Sequence, residues 1–179
     1  MTIQPRAEGT LAAVVVNDEA SPWSGELIVR RLTDAGIVLA EHAEQVALPA
    51  RSTVTVPLPA SVSETTNAAA ELLRAELTGV RGHWFFAEPR DTRLGAPSLS
   101  SSLERVPNGY LLTVTAATLT RDLAVLVDKV DPSARVDDML ITLLPGESAT
   151  FTVCSEVELD CATLTAPTVL RSANQLMRP

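Results

Sequence analysis

The chain has 179 residues and a formal net charge of −8. Its length suits one large domain or two small ones, and 46% hydrophobic residues with only 3% aromatic residues are typical of a folded protein with an aliphatic core. Because nucleic acids and anionic membrane surfaces are bound mainly through Lys and Arg, the acidic charge disfavours both as partners.

The apolar runs are short. The longest, such as residues 11–16 and 139–144, fall far below the roughly 20 residues that a membrane-spanning helix needs. The N-terminus, MTIQPRAEGT, lacks the basic and apolar regions of a secretory signal. We therefore expect a cytoplasmic location.

Short β-strands are predicted throughout the first half of the chain, because apolar and polar residues alternate there with a period of two. In WSGELIVRRL, Leu27 and Val29 share one face. Turn-prone residues separate the runs. The predicted strands are residues 10–16, residues 23–32, a pair of short strands within residues 36–48, and residues 52–58.

Residues 61–77 carry mixed signals. Ser61 and Glu64 have the spacing of a helix capping box. The apolar residues within 73–77, in contrast, alternate with polar residues as in a strand. We predict a loop or a short helical turn, followed by a strand from about Glu71.

The middle of the chain combines an aromatic cluster, His83–Phe86, with a turn-rich polar stretch, residues 89–102. We place a module boundary there, giving modules 1–94 and 95–179. Strand patterns return after it, and no helical patterns alternate with them. The fold class is therefore all-β, with two immunoglobulin-like antiparallel β-sandwich modules. The second-half strands are predicted at residues 109–116, 122–130, 139–144 and 150–153, with Pro145–Gly146 as a turn.

The aromatic cluster has two interpretations. Exposed Trp side chains stack against sugar rings in carbohydrate-binding modules, and Trp23 is a weaker candidate for the same role. Neighbouring residues of a strand, however, point to opposite faces. We therefore favour a cluster in which one face packs on the core of the first module and the other packs on the second module.

No nucleophile, nucleotide or cofactor site is predicted. The motifs GxGxxG, GxxxxGK[ST] and GxSxG are all missing from the sequence. His42 lies in a polar stretch and is interpreted as a surface residue. His83 adjoins the aromatic cluster and is interpreted as a packed residue. Neither is favoured as a general base.

The cysteines, Cys154 and Cys161, are interpreted as free thiols of a reduced compartment, although a hairpin could bring them into a disulfide. A zinc site is disfavoured, since zinc usually takes four ligands and neither His42 nor His83 has metal spacing to the cysteines. No metal ligand is predicted.

Two groups of acidic residues are candidates for hydrolytic carboxylates. Two carboxylates must converge within about 5–10 Å to cleave a glycosidic bond, whereas the adjacent Asp137 and Asp138 would point to opposite faces of a strand. They are interpreted as solvated or capping residues. Glu156, Glu158 and Asp160 alternate and are interpreted as the solvent face of an edge strand. No catalytic residue is predicted.

Three stretches carry a family resemblance. RGHWFFAEPRDTRL (residues 81–94) and the segment of residues 118–153, which contains DDMLITLLPGE, resemble the C-terminal region of glycoside hydrolase family 2 β-mannosidases. VVVNDEASPWSGELIVRRL (residues 14–32) is similar to the immunoglobulin-like module that follows the catalytic barrel in that family. The resemblance covers nearly the whole chain.

The resemblance implies an accessory role. A catalytic (β/α)₈ barrel takes about 250 residues, so the chain cannot contain one and no catalytic residue is carried over. The matching positions are scaffold and inter-module positions: Trp84, Phe85, Phe86, Asp138 and the turn of residues 144–147. The chain is then a non-catalytic region that buttresses the barrel of a retaining β-mannosidase-like enzyme, with the catalytic and N-terminal domains of that parent as partners.

Three alternatives stay open. The chain can be a stand-alone carbohydrate-binding module, which would add weak carbohydrate contact to its partners. It can be the tail of a related β-galactosidase or exo-glucosaminidase. It can also be a generic adhesion-type pair of immunoglobulin modules.

Overall fold

Antiparallel strands make up most of the regular structure. The computed structural model describes residues 1–176, leaving out the side chain of Glu8. Within that range the chain divides into two units, Met1–Arg93 and a second unit that begins at Leu94. Each unit consists of two antiparallel sheets, so the predicted all-β sandwich class is confirmed.

The first unit has a three-stranded sheet of order β1-β2-β5 and a four-stranded sheet of order β4-β3-β6-β7. As in an immunoglobulin constant-type domain, the first, second and fifth strands share one sheet, but here the fourth strand pairs with the third. The elements are β1 (Thr2–Pro5), a 3₁₀ turn (Ala7–Gly9), β2 (Leu11–Asn17), β3 (Trp23–Thr33), β4 (Val38–Leu48), β5 (Ser52–Pro57), α1 (Ala60–Ser63), β6 (Glu71–Leu77), β7 (Val80–Phe85) and a 3₁₀ turn (Pro89–Asp91).

The core of the first unit lies between its two sheets. Leu27 and Val29 of β3 are fully buried, and Val29 lies opposite Ala75 of β6. Ala13 of β2 and Val56 of β5 join the same cluster from the other sheet. The alternation read in the sequence therefore predicts the buried face of β3 correctly.

One predicted element of the first unit is wrong. Residues 36–48 were expected to form a pair of short strands, but β4 is a single strand of 11 residues. Its pairing with β3 runs from Leu48 to Val38, with one register shift between Arg31 and Leu32. The segment 38–48 contains no glycine, proline or asparagine to turn the chain, so the alternation continues.

The ambiguous stretch is resolved into α1 and β6. The strand begins at Glu71, as predicted. The capping box does not form, because Pro59 is the N-cap residue of α1 and no side chain caps the helix. Glu64 instead lies at the C-terminal end of α1.

The second unit has a four-stranded sheet of order β11-β13-β9-β8 and a three-stranded sheet of order β12-β10-β14. Its elements are β8 (Leu99–Val106), β9 (Gly109–Ala116), β10 (Thr120–Val125), a 3₁₀ turn (Val127–Lys129), β11 (Arg135–Val136), β12 (Ile141–Leu143), β13 (Ser148–Cys154), α2 (Cys161–Leu164), β14 (Leu170–Arg171) and a 3₁₀ turn (Ala173–Leu176).

The core of the second unit also draws on both sheets. Leu112 of β9 lies opposite Phe151 of β13, and both are fully buried. Leu123 of β10 and Leu143 of β12 enter the same cluster from the other sheet. The predicted strand of residues 109–116 coincides with β9.

Two predicted strands of the second unit are too long. The strand expected at residues 122–130 ends at Val125, because a 3₁₀ turn follows in which the Val130 N–H donates to the Val127 carbonyl. The strand expected at residues 139–144 is limited to β12. Leu140 before it has a left-handed φ of 62° and is 65% exposed, so the chain is turning there.

The aromatic cluster is divided between the two faces of β7. Trp84 lies opposite Leu73, and Trp84 and Phe86 pack against the core of the first unit. Phe85 lies opposite Leu72 on the other face. Packing of that face on the second module stays a prediction.

We expect Trp84→Ala to destabilise the first unit by about 2 kcal/mol, which is less than the roughly 3–5 kcal/mol of a fully buried aromatic residue, because Trp84 is half-buried. Chemical denaturation measures the change. Val80→Ala on the same strand is the control, since Val80 is 48% exposed and should change stability by less than about 0.5 kcal/mol. Equal stability of the Trp84→Ala variant and the wild type would contradict the expectation.

Candidate functional site

A polar cavity of about 580 Å³ lies beside the β8–β9 turn of the second unit. Residues 105–110 of that hairpin form one wall, and residues 154–157, from the last residue of β13 into the loop that follows, form another. The charged side chains on its lining are Arg105, Arg135 and Glu156. The cavity is therefore built from loops at the ends of strands.

A buried carboxylate fixes one side of this cavity. Asp131 is 5% exposed, and its Oδ1 accepts hydrogen bonds from the Ser133 N–H at 2.9 Å and the Ser133 hydroxyl at 2.7 Å. Its Oδ2 accepts a hydrogen bond from the Ser155 hydroxyl at 2.7 Å. The Asp131 carboxylate thus ties together two loop segments that line the cavity.

These hydrogen bonds also determine the charge of Asp131. Donation from Ser155 and Ser133 holds the pKa of the carboxyl group below its ordinary value. Asp131 is therefore an anion whose lone pairs are already engaged by the protein, so it is poorly suited to act as a general base. Spacing along the chain gives no signal for this arrangement, since Ser155 lies 24 residues after Asp131.

Tyr110 and Gly109 fix the opposite wall. The Tyr110 hydroxyl accepts a hydrogen bond from the Leu159 N–H at 3.0 Å, and the Arg105 guanidinium lies 5.8 Å from the centre of the Tyr110 ring. Gly109 has a φ of 138°, and a Cβ there would collide with the Val153 carbonyl oxygen. The tight β8–β9 turn therefore requires glycine.

The polar groups that line the cavity can bind a ligand through hydrogen bonds. Its lining carries two guanidinium groups and one carboxylate, whereas glycoside hydrolysis uses two carboxylates. A second cavity of the same unit, of about 450 Å³, has Asp122 as the one carboxylate of its lining, beside Lys129 and Arg171. Neither of these two cavities brings paired carboxylates together.

Asp137 and Asp138 are exposed and bound to backbone groups. Asp137 Oδ1 accepts a hydrogen bond from the Thr152 N–H at 2.8 Å, and Asp138 Oδ1 accepts one from the Met139 N–H at 2.7 Å. Burial raises the pKa of Asp137, but the hydrogen bonds from Thr152 outweigh it and the pKa lies below the ordinary value. Both carboxylates thus stabilise the local backbone.

The edge-strand interpretation of Glu156, Glu158 and Asp160 is wrong. β13 ends at Cys154, and α2 begins at Cys161. The segment between them is a loop because Ser155 and the Leu159 N–H are held by Asp131 and Tyr110. Asp160 is the N-cap of α2, and its Oδ1 accepts a hydrogen bond from the Thr163 N–H at 2.7 Å.

The two cysteines are free thiols, as the sequence favoured. Cys154 is exposed and lies on the lining of the 580 Å³ cavity. The sulfur of Cys161 lies 3.6 Å from the Ser101 hydroxyl oxygen. Within residues 1–176, no group of three or more His, Cys, Asp and Glu side chains could hold a metal ion.

The remaining candidates lie in the first unit. His42 is on β4, with its Nε2 3.3 Å from Glu44 Oε2. His83 is half-buried on β7. Trp23 packs against the core of the first unit, which leaves less of its ring free to stack on a sugar. None of the helices described in residues 1–176 has the length and apolar character to cross a bilayer.

Solved structures share this fold. The β-D-mannosidase from Dictyoglomus thermophilum matches with a TM-score of 0.70 and 20% identity, over 95% of this chain and 20% of the enzyme. The exo-chitosanase CsxA from Amycolatopsis orientalis matches with a TM-score of 0.59 and 15% identity, over 96% of this chain and 25% of that enzyme. The chain has a fold found within family 2 glycoside hydrolases.

The resemblance seen in the sequence is confirmed at the level of the fold. No protein-family model and no curated protein sequence matches the chain. The chain spans 20% to 25% of the length of the two solved structures. The activities in their names therefore belong to those enzymes.

We expect Asp131→Asn to remove part of the acid sensitivity of the second unit. Since the pKa of Asp131 is lowered in the folded state, its carboxylate stabilises the fold above the unfolded-state pKa, and this contribution is lost as the pH falls through the folded-state pKa. The melting temperatures of variant and wild type should therefore differ most at neutral pH, and the difference should shrink as the pH falls below the ordinary aspartate pKa of about 3.9.

Thermal unfolding followed by circular dichroism across this pH range checks the expectation. Asp128→Asn is the matched control, because Asp128 is exposed in the same unit. A melting-temperature difference for Asp131→Asn that is constant with pH would contradict the assignment.

Proposed function

We propose that the chain is a non-catalytic accessory region of a β-mannosidase-like glycoside hydrolase. The observation that carries this proposal is the match of 95% of the chain to only 20% of a β-D-mannosidase, with a TM-score of 0.70. Nearly all of this chain thus corresponds to a minor part of a much larger enzyme. The remainder of such a parent would contain the reaction centre.

The packing of both units supports this role. Leu27 and Phe151 lie in sandwich interiors that are filled with aliphatic and aromatic side chains. A (β/α)₈ barrel needs about 250 residues. The two cavities of the second unit offer unpaired carboxylates, so the hydrolytic step is assigned to the parent.

The accessory role that we propose is to buttress the catalytic and N-terminal domains of that parent. Met139 and Leu140 are 42% and 65% exposed, and they follow Asp138 in the segment that resembles the β-mannosidase tail. Exposed apolar side chains that are adjacent favour burial against another protein surface. The left-handed φ of Leu140 holds its side chain in a loop that can present it to that surface.

A related parent is the second candidate. The exo-chitosanase CsxA matches over 96% of the chain. A tail of an exo-glucosaminidase would have the same architecture, and only the sugar specificity of the absent barrel would differ. The coding sequence around the chain separates both of these parents from an adhesion-type protein, because either barrel would be encoded in the same reading frame. A signal peptide with no barrel would instead favour an adhesion-type protein.

Calorimetric titration of the chain with mannobiose is the test of the non-catalytic, non-binding role. We expect the titration to show only the heat of dilution at sugar concentrations up to about 1 mM, since a dissociation constant of this size is the weak end of specific affinity. We also expect no release of mannose. A saturable isotherm would favour a carbohydrate-binding module, and Arg135→Ala then tests whether the 580 Å³ cavity is the site. Mannose release by the chain itself would overturn the proposal.

A further inference from the structure

β4 is an open edge of the four-stranded sheet in the first unit. It pairs with β3 on one side, and no strand within residues 1–176 pairs with its other side. From Val38 to Gln45 its residues are exposed, apart from the half-buried Ala40 and His42. The backbone N–H and carbonyl groups on this side have no strand partner within residues 1–176, and α1 lies close to part of β4.

This edge lacks several of the features that usually prevent strand addition. Proline, lysine, strong bulges and inward-pointing charges all protect exposed edges, and β4 carries one such charge, Glu44, on the face that contains the buried Val46 and Leu48. Residues 38–48 contain no proline or lysine, and the register shift affects only the pairing near Val38. β5, an edge strand of the other sheet, ends in Pro57. β4 is thus suited to strand pairing with a partner.

The charges on β4 are arranged by face. Glu41, on the outer face, is neutralised by its own chain, because its carboxylate accepts a hydrogen bond from Arg30 Nε at 2.6 Å. His42 and Glu44 lie on the opposite face, two residues apart and 3.3 Å from each other. The edge therefore presents one imidazole donor and one carboxylate acceptor side by side.

We propose that β4 pairs antiparallel with β4 of a second copy of the chain, from Leu39 to Ala47, with Ala43 on the two-fold axis. Each His42 then lies opposite Glu44 of the other copy, and each Glu41 lies opposite Gln45. Opposed Cβ atoms in such a pair are about 4.5–5.5 Å apart. An imidazole N–H donates to a carboxylate in both the neutral and the protonated ring, so the contact does not depend on the His42 charge.

The alternation of side chains selects this register. Opposed residues must lie on the same face of the joined sheet, so the register changes in steps of two. A shift by one such step in one direction places His42 opposite His42, and a shift in the other direction places Glu44 opposite Glu44. Like residues of this kind repel when both are charged. The chosen register also gives complete overlap, because Val38 and Leu48, the two ends of β4, then lie opposite each other.

The contact involves roughly nine residues per copy, which lies at the small end of specific interfaces. We therefore expect a weak, reversible dimer with a dissociation constant on the order of 10–100 μM. Sedimentation velocity of the whole chain over a range of concentrations around this value measures it. A wild-type chain that stays monomeric at about 1 mM overturns the proposal.

Two charge changes test the register. His42→Glu places carboxylates against each other on both sides of the axis, and Glu44→Lys removes both acceptors. Each variant alone is expected to weaken association by at least about tenfold. An equimolar mixture of the two should recover it, because the carboxylate introduced in one copy lies opposite the ammonium group introduced in the other.

Glu104→Lys is the matched control, since Glu104 is exposed on β8, an edge strand of the second unit. It should associate like the wild type. Circular dichroism melting of each single variant confirms that the chain is folded, and recovery in the mixture cannot arise from misfolded chains. Dimerisation that is unaffected by either charge change, or a mixture no better than its components, overturns the register.

Discussion

Each unit depends on the burial of one face of each sheet against the sheet that faces it. Side chains of an extended strand alternate between two faces, so Leu27 and Val29 enter the first core while Arg30 points outward and forms ion pairs with Glu41 and Glu76. Burial of aliphatic surface contributes about 25 cal/mol per Å², and the density of packed interiors leaves little empty space. Polar groups consequently lie on the outer faces of the sheets, in the loops and at the strand edges.

Buried polar groups in these loops are compensated by specific partners. Glu71 is 6% exposed; burial raises its pKa, but hydrogen bonds from Thr65 and Arg31 at 2.7 Å outweigh this and lower it. Asn174 donates to the carbonyl oxygens of Gly95 and Leu119. Like Asp131, which holds Ser133 and Ser155 beside the cavity, these residues hold connecting segments in place. Such loops can present a fixed surface to another domain, as an accessory role requires.

The sequence predicts the bounds of a strand well where the strand's own residues carry the alternating pattern. The period-two alternation of residues 109–116 gives β9 with its correct bounds, and β6 begins at Glu71 as expected. The prediction of two short strands in place of β4 was wrong because β4 is an edge strand that is largely exposed on both faces. Its polar residues therefore resemble a loop between two strands. The strand predicted at residues 122–130 was too long because the period-two alternation continues past Val125, whereas the chain there enters a 3₁₀ turn with a hydrogen bond from the Val130 N–H to the Val127 carbonyl.

The candidate cavity was not visible in the sequence. Its lining includes Tyr110 and Ser155, and the hydrogen bonds that hold these residues, to Leu159 and to Asp131, each span more than 20 residues. Spacing along the chain carries no signal for such pairs. The acidic alternation of residues 156–160 was misread for the same reason, since Leu159 is buried by its hydrogen bond to Tyr110 and the segment cannot be an edge strand.

Each sandwich has a complete core of its own. Production of residues 1–93 and residues 94–179 as separate chains, followed by chemical denaturation of each, tests it directly. We expect two folded β-proteins, each with a single cooperative unfolding transition. If either half is unfolded alone, its core is completed by the other half, and the claim is wrong.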